Sequence, residues 1–203
     1  MKDMEHLNPP ALLDEIERAS AEIGFNMASD RQTGALLRTL AAAKSGAFLE
    51  LGTGTGISTC WILDGMDSRS TLTSVESDEK AQAVARQHLG GDRRLTLRNM
   101  DGEAFLRSVR EQRFDFIFAD TWPGKFYALE EALSLLKPGG LYVIDDLLPQ
   151  PNWPDGHAPK VAELIATLER REHLVTTKLC WSSGIIVATR VERAQSDKRI
   201  ETA

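Results

Sequence analysis

The sequence predicts an α/β protein: a doubly wound, mostly parallel seven-stranded sheet, closed by an antiparallel C-terminal hairpin strand and preceded by N-terminal cover helices. Three observations predict it. Strand-like and helix-like segments alternate from residue 47 to residue 168, a pattern that places a parallel sheet between two helical layers. The first strand runs into a glycine turn, Gly52-Thr53-Gly54-Thr55-Gly56, which opens directly on a helix-compatible segment. Acids stand at or just after the strand ends, where an open sheet of this kind binds its ligands: Glu50, Glu76, Asp120 and the pair Asp145-Asp146.

Composition narrows the class. A chain of 203 residues fits one domain, and 42% hydrophobic with 27% charged residues suits a globular protein with a sizeable core. The net charge of −6 argues against a broad nucleic-acid surface, which needs clustered Lys and Arg. No apolar run reaches the ~18 residues of a membrane span, and Met1-Lys2-Asp3-Met4-Glu5-His6 lacks an apolar signal core. Cys60 and Cys180 sit in apolar contexts and read as free, buried thiols. The expectation is a cytoplasmic protein with no nucleic-acid or membrane partner.

The elements follow in order. Pro9-Pro10 opens a helix with Leu12, Ile16, Ala19 and Ile23 at helical spacing, and Gly24 stops it. A second helix, about 32–44, turns Leu36, Leu37 and Leu40 inward, so 1–46 reads as cover helices. The domain proper, 47–191, begins with strand Ala47–Leu51 and helical 57–63. Strand Thr71–Glu76 precedes helix 78–88, with Asp78 as a plausible N-cap. Strand 94–98 precedes helix 102–110, and strand Phe114–Ala119 precedes helix 126–136. Lys137-Pro138-Gly139-Gly140 reads as a turn into strand 141–144. Val161, Leu164, Ile165 and Leu168 mark the last helix, and 174–181 with 185–191 form the hairpin. Residues 192–203 form a polar tail.

The glycine spacing selects the ligand. A dinucleotide fingerprint needs its third glycine where Ile57 stands, and a phosphate-cradling loop needs a lysine that is absent. An acid ahead of Gly-x-Gly-x-Gly suits a cationic ligand. Phe48-Leu49-Glu50-Leu51-Gly52-Thr53-Gly54-Thr55-Gly56 resembles motif I of the class I S-adenosylmethionine (SAM)-dependent methyltransferases, and Phe114-Asp115-Phe116-Ile117-Phe118-Ala119-Asp120 resembles their motif IV. The resemblance implies SAM as cofactor. Glu50, Gly52, Thr53, Gly54 and Ser58 would hold its methionine part, Glu76 its ribose hydroxyls, and Glu103 with the backbone N–H of Ala104 its adenine. Asp101 competes with Glu103 for that last role, and Asp120 would lie beside the transferred methyl.

The Asp120 and Asp145-Asp146 carboxylates converge at one sheet edge and need a cation or proton between them. Oxygen ligands suit Mg²⁺ or a similar divalent ion. Here the chain is most similar to the small cation-dependent O-methyltransferases of the catechol and caffeoyl-CoA types. That resemblance implies Asp120, Asp145 and Asp146 as metal ligands, Lys125 as the residue that helps deprotonate an acceptor hydroxyl, a small-molecule acceptor and a homodimer. Two departures stand out. Asp146 replaces an Asn, and Asp120-Thr121-Trp122-Pro123-Gly124-Lys125 puts the lysine two positions late. The competing reading keeps Asp120 near the sulfonium and pairs Asp145-Asp146 with a proton, Lys125 or His157. The segment after the fifth strand carries Pro149, Pro151, Pro154 and Pro159, and Trp122 with Trp153 would wall a planar substrate. Met27 could add to the same pocket, although a Met there is more often packing. His157 reads as the residue leading into the last helix, with general base as the alternative. The predicted activity is methyl transfer to a hydroxyl oxygen. A metal-independent N-methyltransferase, a SAM-binding protein without catalysis and a nicotinamide oxidoreductase remain as alternatives.

Overall fold

The computed structural model describes residues 7–151 and 153–192; the polar tail from residue 193 onward lies outside them. Two helices, α1 (Leu13–Glu22) and α2 (Arg31–Ala42), precede β1 (Ala47–Leu51), α3 (Ile57–Gly65), β2 (Thr71–Glu76), α4 (Glu79–Leu89), β3 (Leu95–Asn99), α5 (Gly102–Ser108) and β4 (Phe114–Ala119). Then come α6 (Leu129–Ser134), β5 (Leu136–Ile144), α7 (His157–Glu169), β6 (Leu174–Leu179) and β7 (Ile185–Arg190). The strands form a seven-stranded sheet in the order β3-β2-β1-β4-β5-β7-β6. β7 runs antiparallel to β5 and to β6, and the remaining pairs are parallel.

Local chemistry sets the helix starts. Asp30, Asp78 and Asp101 each accept hydrogen bonds from backbone N–H groups of the following turn, capping α2, α4 and α5. The expected turn at 137–140 is instead part of β5, whose register shifts between Phe114 and Phe116. Pro138 brings no N–H and Gly139 takes φ +75°, so the ladder opens into an exposed irregularity without reversing the chain. Helix α6 is correspondingly shorter than its apolar pattern suggests, because Leu136 already pairs with Phe114.

Strand alternation feeds a core on each face of the sheet. Leu49, Leu51, Ile117, Tyr142 and Ile144 pack with Phe105, Leu106, Leu133, Leu164 and Leu168 of α5, α6 and α7. On the other face, Phe48, Leu72, Phe116, Phe118 and Val143 pack with Leu13, Ile16, Leu37, Trp61 and Ile62. The two N-terminal helices therefore share the main core. The cysteines are free, with Cys60 buried, its thiol pushed up to about 12 by burial, and Cys180 exposed, contrary to its apolar context. Cys180 directly follows β6, an edge strand. No helix of the described residues is long and apolar enough to cross a membrane.

The chain winds outward from β1 through β2 to β3, then returns to β4 on the other side of β1. This reversal opens a crevice beyond the carboxyl ends of β1 and β4.

Candidate active site

The glycine turn lies at that crevice. Gly52 adopts φ +101°, and a Cβ there would stand 2.7 Å from the Asp120 carbonyl oxygen. Glycine is needed because the ends of β1 and β4 nearly touch. Gly56 opens α3 at φ +95°, where a Cβ would meet the Ala85 methyl at 2.9 Å. Both glycines thus answer to the protein's own packing. Glu50 lies beneath the turn with no exposed surface. It accepts hydrogen bonds from Ser58 Oγ at 2.7 Å, Thr59 Oγ1 at 2.5 Å and Ser74 Oγ at 2.5 Å. Burial pushes its pKa up to about 7 against the pull of these hydroxyls. Strand alternation turns the side chain at position 50 onto the α3 face, below the cavity. Glu50 is therefore an anchor for the turn, while Gly52, Thr53, Gly54 and Ser58 line the cavity themselves.

Glu76 ends β2 at the cavity wall. Its Oε2 accepts from Gly54 N–H and its Oε1 from Asp78 N–H, each at 2.9 Å. The carboxylate is thereby fixed while retaining lone pairs for hydroxyl donors. Beside it opens a recess of about 160 Å³, lined among others by Met100, Asp101, Gly102, Thr121 and Tyr127. Of the competing acids, Asp101 reaches this recess. Glu103 pairs instead with Arg107 at 2.5 Å, and the Ala104 N–H is committed to Asp101 Oδ1 at 2.9 Å. The N-cap of α5 explains the second, since capping consumes an N–H of the first turn, and the i,i+4 helix spacing explains the first.

The second carboxylate cluster forms beyond β4 and β5. Lys125 is buried, and its Nζ donates to Asp120 Oδ1 at 3.2 Å and to the Asp145 carbonyl at 2.8 Å. Ser29 Oγ donates to Asp120 Oδ2 at 2.9 Å. Asp145 Oδ1 accepts from Ser183 Oγ and from Asp146 N–H. Both Asp146 carboxylate oxygens accept from Trp153 Nε1, at 3.0 and 3.1 Å. Burial, with Asp120 adding, raises the Asp145 pKa, opposed by Ser183 and Lys125. A divalent ion would bind here through carboxylate oxygens, with waters completing its shell. Asp120 and Asp146 accept from protein donors on both carboxylate oxygens and Asp145 does so on Oδ1, and the Lys125 ammonium, held by Asp120 Oδ1 and the Asp145 carbonyl, already brings a positive charge to the cluster. Among the described residues no group of three or more His, Cys, Asp and Glu is arranged to hold a metal ion. The residues present do not fit the metal centre that the resemblance implies.

The far end of the cavity is aromatic. The His157 ring lies 4.5 Å from Trp153, 5.0 Å from Phe126 and 6.3 Å from Trp122, centroid to centroid. His157 is 6% exposed, and among the described residues neither ring nitrogen has a hydrogen-bond partner. Burial, its largest influence, lowers its pKa. One cavity of about 580 Å³ runs from the glycine turn and Glu76 past Asp120 and Lys125 to these rings. Phe25, Met27, Ser29, Gln150 and Ser183 also line it. Of these, only Met27 is recognisable from sequence. Ser29 precedes the Asp30 cap and Ser183 lies in the β6–β7 turn, and neither has a motif around it.

Residues 49–147 match a family model described as a methyltransferase domain. A candidate O-methyltransferase of Mycolicibacterium vanbaalenii is 29% identical over 147 residues, 69% of this chain and 65% of that relative, just under two thirds of its length. A solved candidate O-methyltransferase from Klebsiella pneumoniae is 27% identical, with TM-score 0.76 and 90% of each chain covered. The SAM complex of the O-methyltransferase TomG from Streptomyces achromogenes shares the fold, with TM-score 0.81, 21% identity and 93% of each chain covered.

Proposed function

We propose that this chain, whose residues 49–147 match a methyltransferase domain, transfers the SAM methyl group to a hydroxyl oxygen of a small, planar acceptor. The observation that carries this reading is the single cavity joining the glycine turn to the aromatic end through Asp120 and Lys125. Donor and acceptor share one space, with the charged groups at their meeting point.

In this reading Gly52, Thr53, Gly54 and Ser58 receive the methionine part of SAM, and Glu50 holds the Ser58 hydroxyl in place from below. Glu76 accepts from the ribose hydroxyls. The recess at Met100, Asp101 and Gly102 takes the adenine, so Asp101 stands in for the role expected of Glu103 and Ala104. Asp120 faces the sulfonium. Trp122, Phe126 and Trp153 hold the acceptor plane. The acceptor O–H loses its proton to solvent, the oxygen attacks the methyl carbon in line, and the S–C bond breaks to leave a neutral thioether. The protein contributes placement and a fixed charge pattern. The same reading takes the protein as cytoplasmic and dimeric.

Isothermal titration with S-adenosylhomocysteine (SAH) tests the donor end, and tritium transfer from labelled SAM to a panel of phenols and amines tests the acceptor end. Micromolar SAH binding with label on phenols is the expected result. Absence of SAH binding overturns the proposal, and label on amines alone moves the acceptor from oxygen to nitrogen.

A further inference from the structure

We propose that the Lys125 ammonium is the built-in cation of this site, standing between Asp120 and Asp145 where the resemblance implies a divalent ion. The inference rests on the methyl-transfer reading above and deepens it.

The geometry comes first. Lys125 Nζ touches Asp120 Oδ1 and the Asp145 carbonyl, bridging the ends of β4 and β5. Its side chain is 5% exposed and that of Asp120 is 16% exposed. A lysine so buried needs a counter-charge, and here the carboxylate supplies it. Asp120 Oδ2 accepts from Ser29, Asp145 Oδ1 from Ser183 and the Asp146 N–H, and both Asp146 oxygens from Trp153.

The local sequence accounts for how the lysine arrives. Gly124 takes φ +86°, and a Cβ there would stand 2.7 Å from Leu51 Cδ1 and 2.9 Å from Tyr142 Oη. The Gly124 carbonyl accepts from the buried Tyr142 hydroxyl at 2.6 Å. Lys125 N–H closes the turn on the Trp122 carbonyl at 3.0 Å. The Pro123-Gly124 pair therefore folds the chain into a tight loop that returns the ammonium to the Asp120 carboxylate and the Asp145 carbonyl. The late position of the lysine is a means of aiming it.

The consequence is chemical. Lys125 lines the cavity, so its positive charge faces the place where the acceptor oxygen loses its proton. A fixed ammonium favours that oxyanion as a bound metal would, without an exchangeable ion.

Manganese titration followed by electron paramagnetic resonance tests this on the wild-type protein and on Lys125→Met, with SAH binding measured in parallel. The wild type is expected to bind no stoichiometric Mn²⁺ in the micromolar range and to transfer methyl at an unchanged rate in EDTA. Lys125→Met is expected to keep SAH and to bind Mn²⁺ tighter by roughly tenfold or more, because a like charge within a few ångströms has gone. Stoichiometric Mn²⁺ on the wild type, lost in Asp145→Asn, overturns the proposal. So does a Lys125→Met protein that binds SAH but gains no Mn²⁺ affinity. The wild-type titration decides the matter even if the variant does not fold. SAH binding reports on the methyl-transfer reading and Mn²⁺ on the ammonium, so the two failures are distinguishable.

Discussion

At the donor end of the cavity, residues 50–58 and 74–76 hold one another through hydroxyl, carboxylate and backbone bonds made among β1, its turn, the start of α3 and β2. The acceptor end collects side chains from the N-terminal loop, the segment after β4, the proline-rich segment after β5 and the β6–β7 turn. The donor end is thus a local structure resting on a buried base. The acceptor end exists only when distant segments meet. Damage to the first should weaken ligand binding, to the point of loss where the glycine turn itself is filled, whereas damage to the second should alter what is methylated and how fast.

The largest effect is expected from Gly52→Val. The positive φ alone costs about 1–3 kcal/mol for a branched residue, and the side chain would enter the Asp120 carbonyl. Thermal unfolding should show a lower Tm and no rise on adding SAH; a normal SAH-induced rise would break the claim that this end is rigid. Next comes Asp120→Asn, which removes the buried counter-charge of Lys125. The transfer rate should fall by about 10²–10³, as for other lost electrostatic groups, while SAH affinity changes far less. Equal losses in both would erase the distinction between the two ends.

Glu76→Gln should weaken SAH by roughly tenfold, the scale of a lost charged hydrogen bond, with the acceptor KM unchanged. Calorimetry and steady-state kinetics separate these. His157→Leu sharpens the comparison from the other side. Its ring nitrogens have no partner among the described residues, so the variant should unfold at or above the wild-type Tm and bind SAH normally. A raised acceptor KM would identify the imidazole as an acceptor contact, and unchanged kinetics would assign it to packing.

The smallest effect concerns pH. Glu50 has a folded-state pKa of about 7 against an ordinary 4.5. A raised acid binds its extra proton in the native state, so this contribution to stability is full below about 4.5 and falls as pH rises to about 7. Asp145, also raised, acts in the same direction. Glu50→Gln should flatten the stability profile across this window in denaturant titrations at several pH values. A profile as steep as the wild type's would place the titration elsewhere.

The element order, the parallel pairing and the glycine turn were all legible in the chain, because each rests on short-range pattern: apolar alternation, Asp caps and glycine spacing. The bounds of β1, β2 and β4 match the apolar runs that announce them. Site legibility stops where side-chain direction matters. Glu50 reads as a ligand contact and is a buried anchor, because one position along a strand decides which face receives the carboxylate. Glu103 reads as the adenine acid and turns to Arg107, because an arginine one helical turn on stands on its own face. Asp120, Asp145 and Asp146 read as one metal cluster, yet Trp153 draws Asp146 aside and Lys125 enters between the other two.

By itself, then, the sequence determined the sheet, its switch point and the presence of a glycine turn suited to a cationic ligand, since those depend on periodicity and backbone freedom within a few residues. Only the tertiary structure decided that an ammonium faces the acids, that Ser29 and Ser183 bind them, and that His157 closes an aromatic wall. The Ser29–Asp120, Ser183–Asp145 and Lys125–Asp145 contacts join groups from segments separated in the chain, and the Lys125–Asp120 pair, five residues apart, depends on how the Gly124 turn packs. Hydrogen bonds and charge pairs of that kind depend on ångström-scale placement that local propensity does not encode.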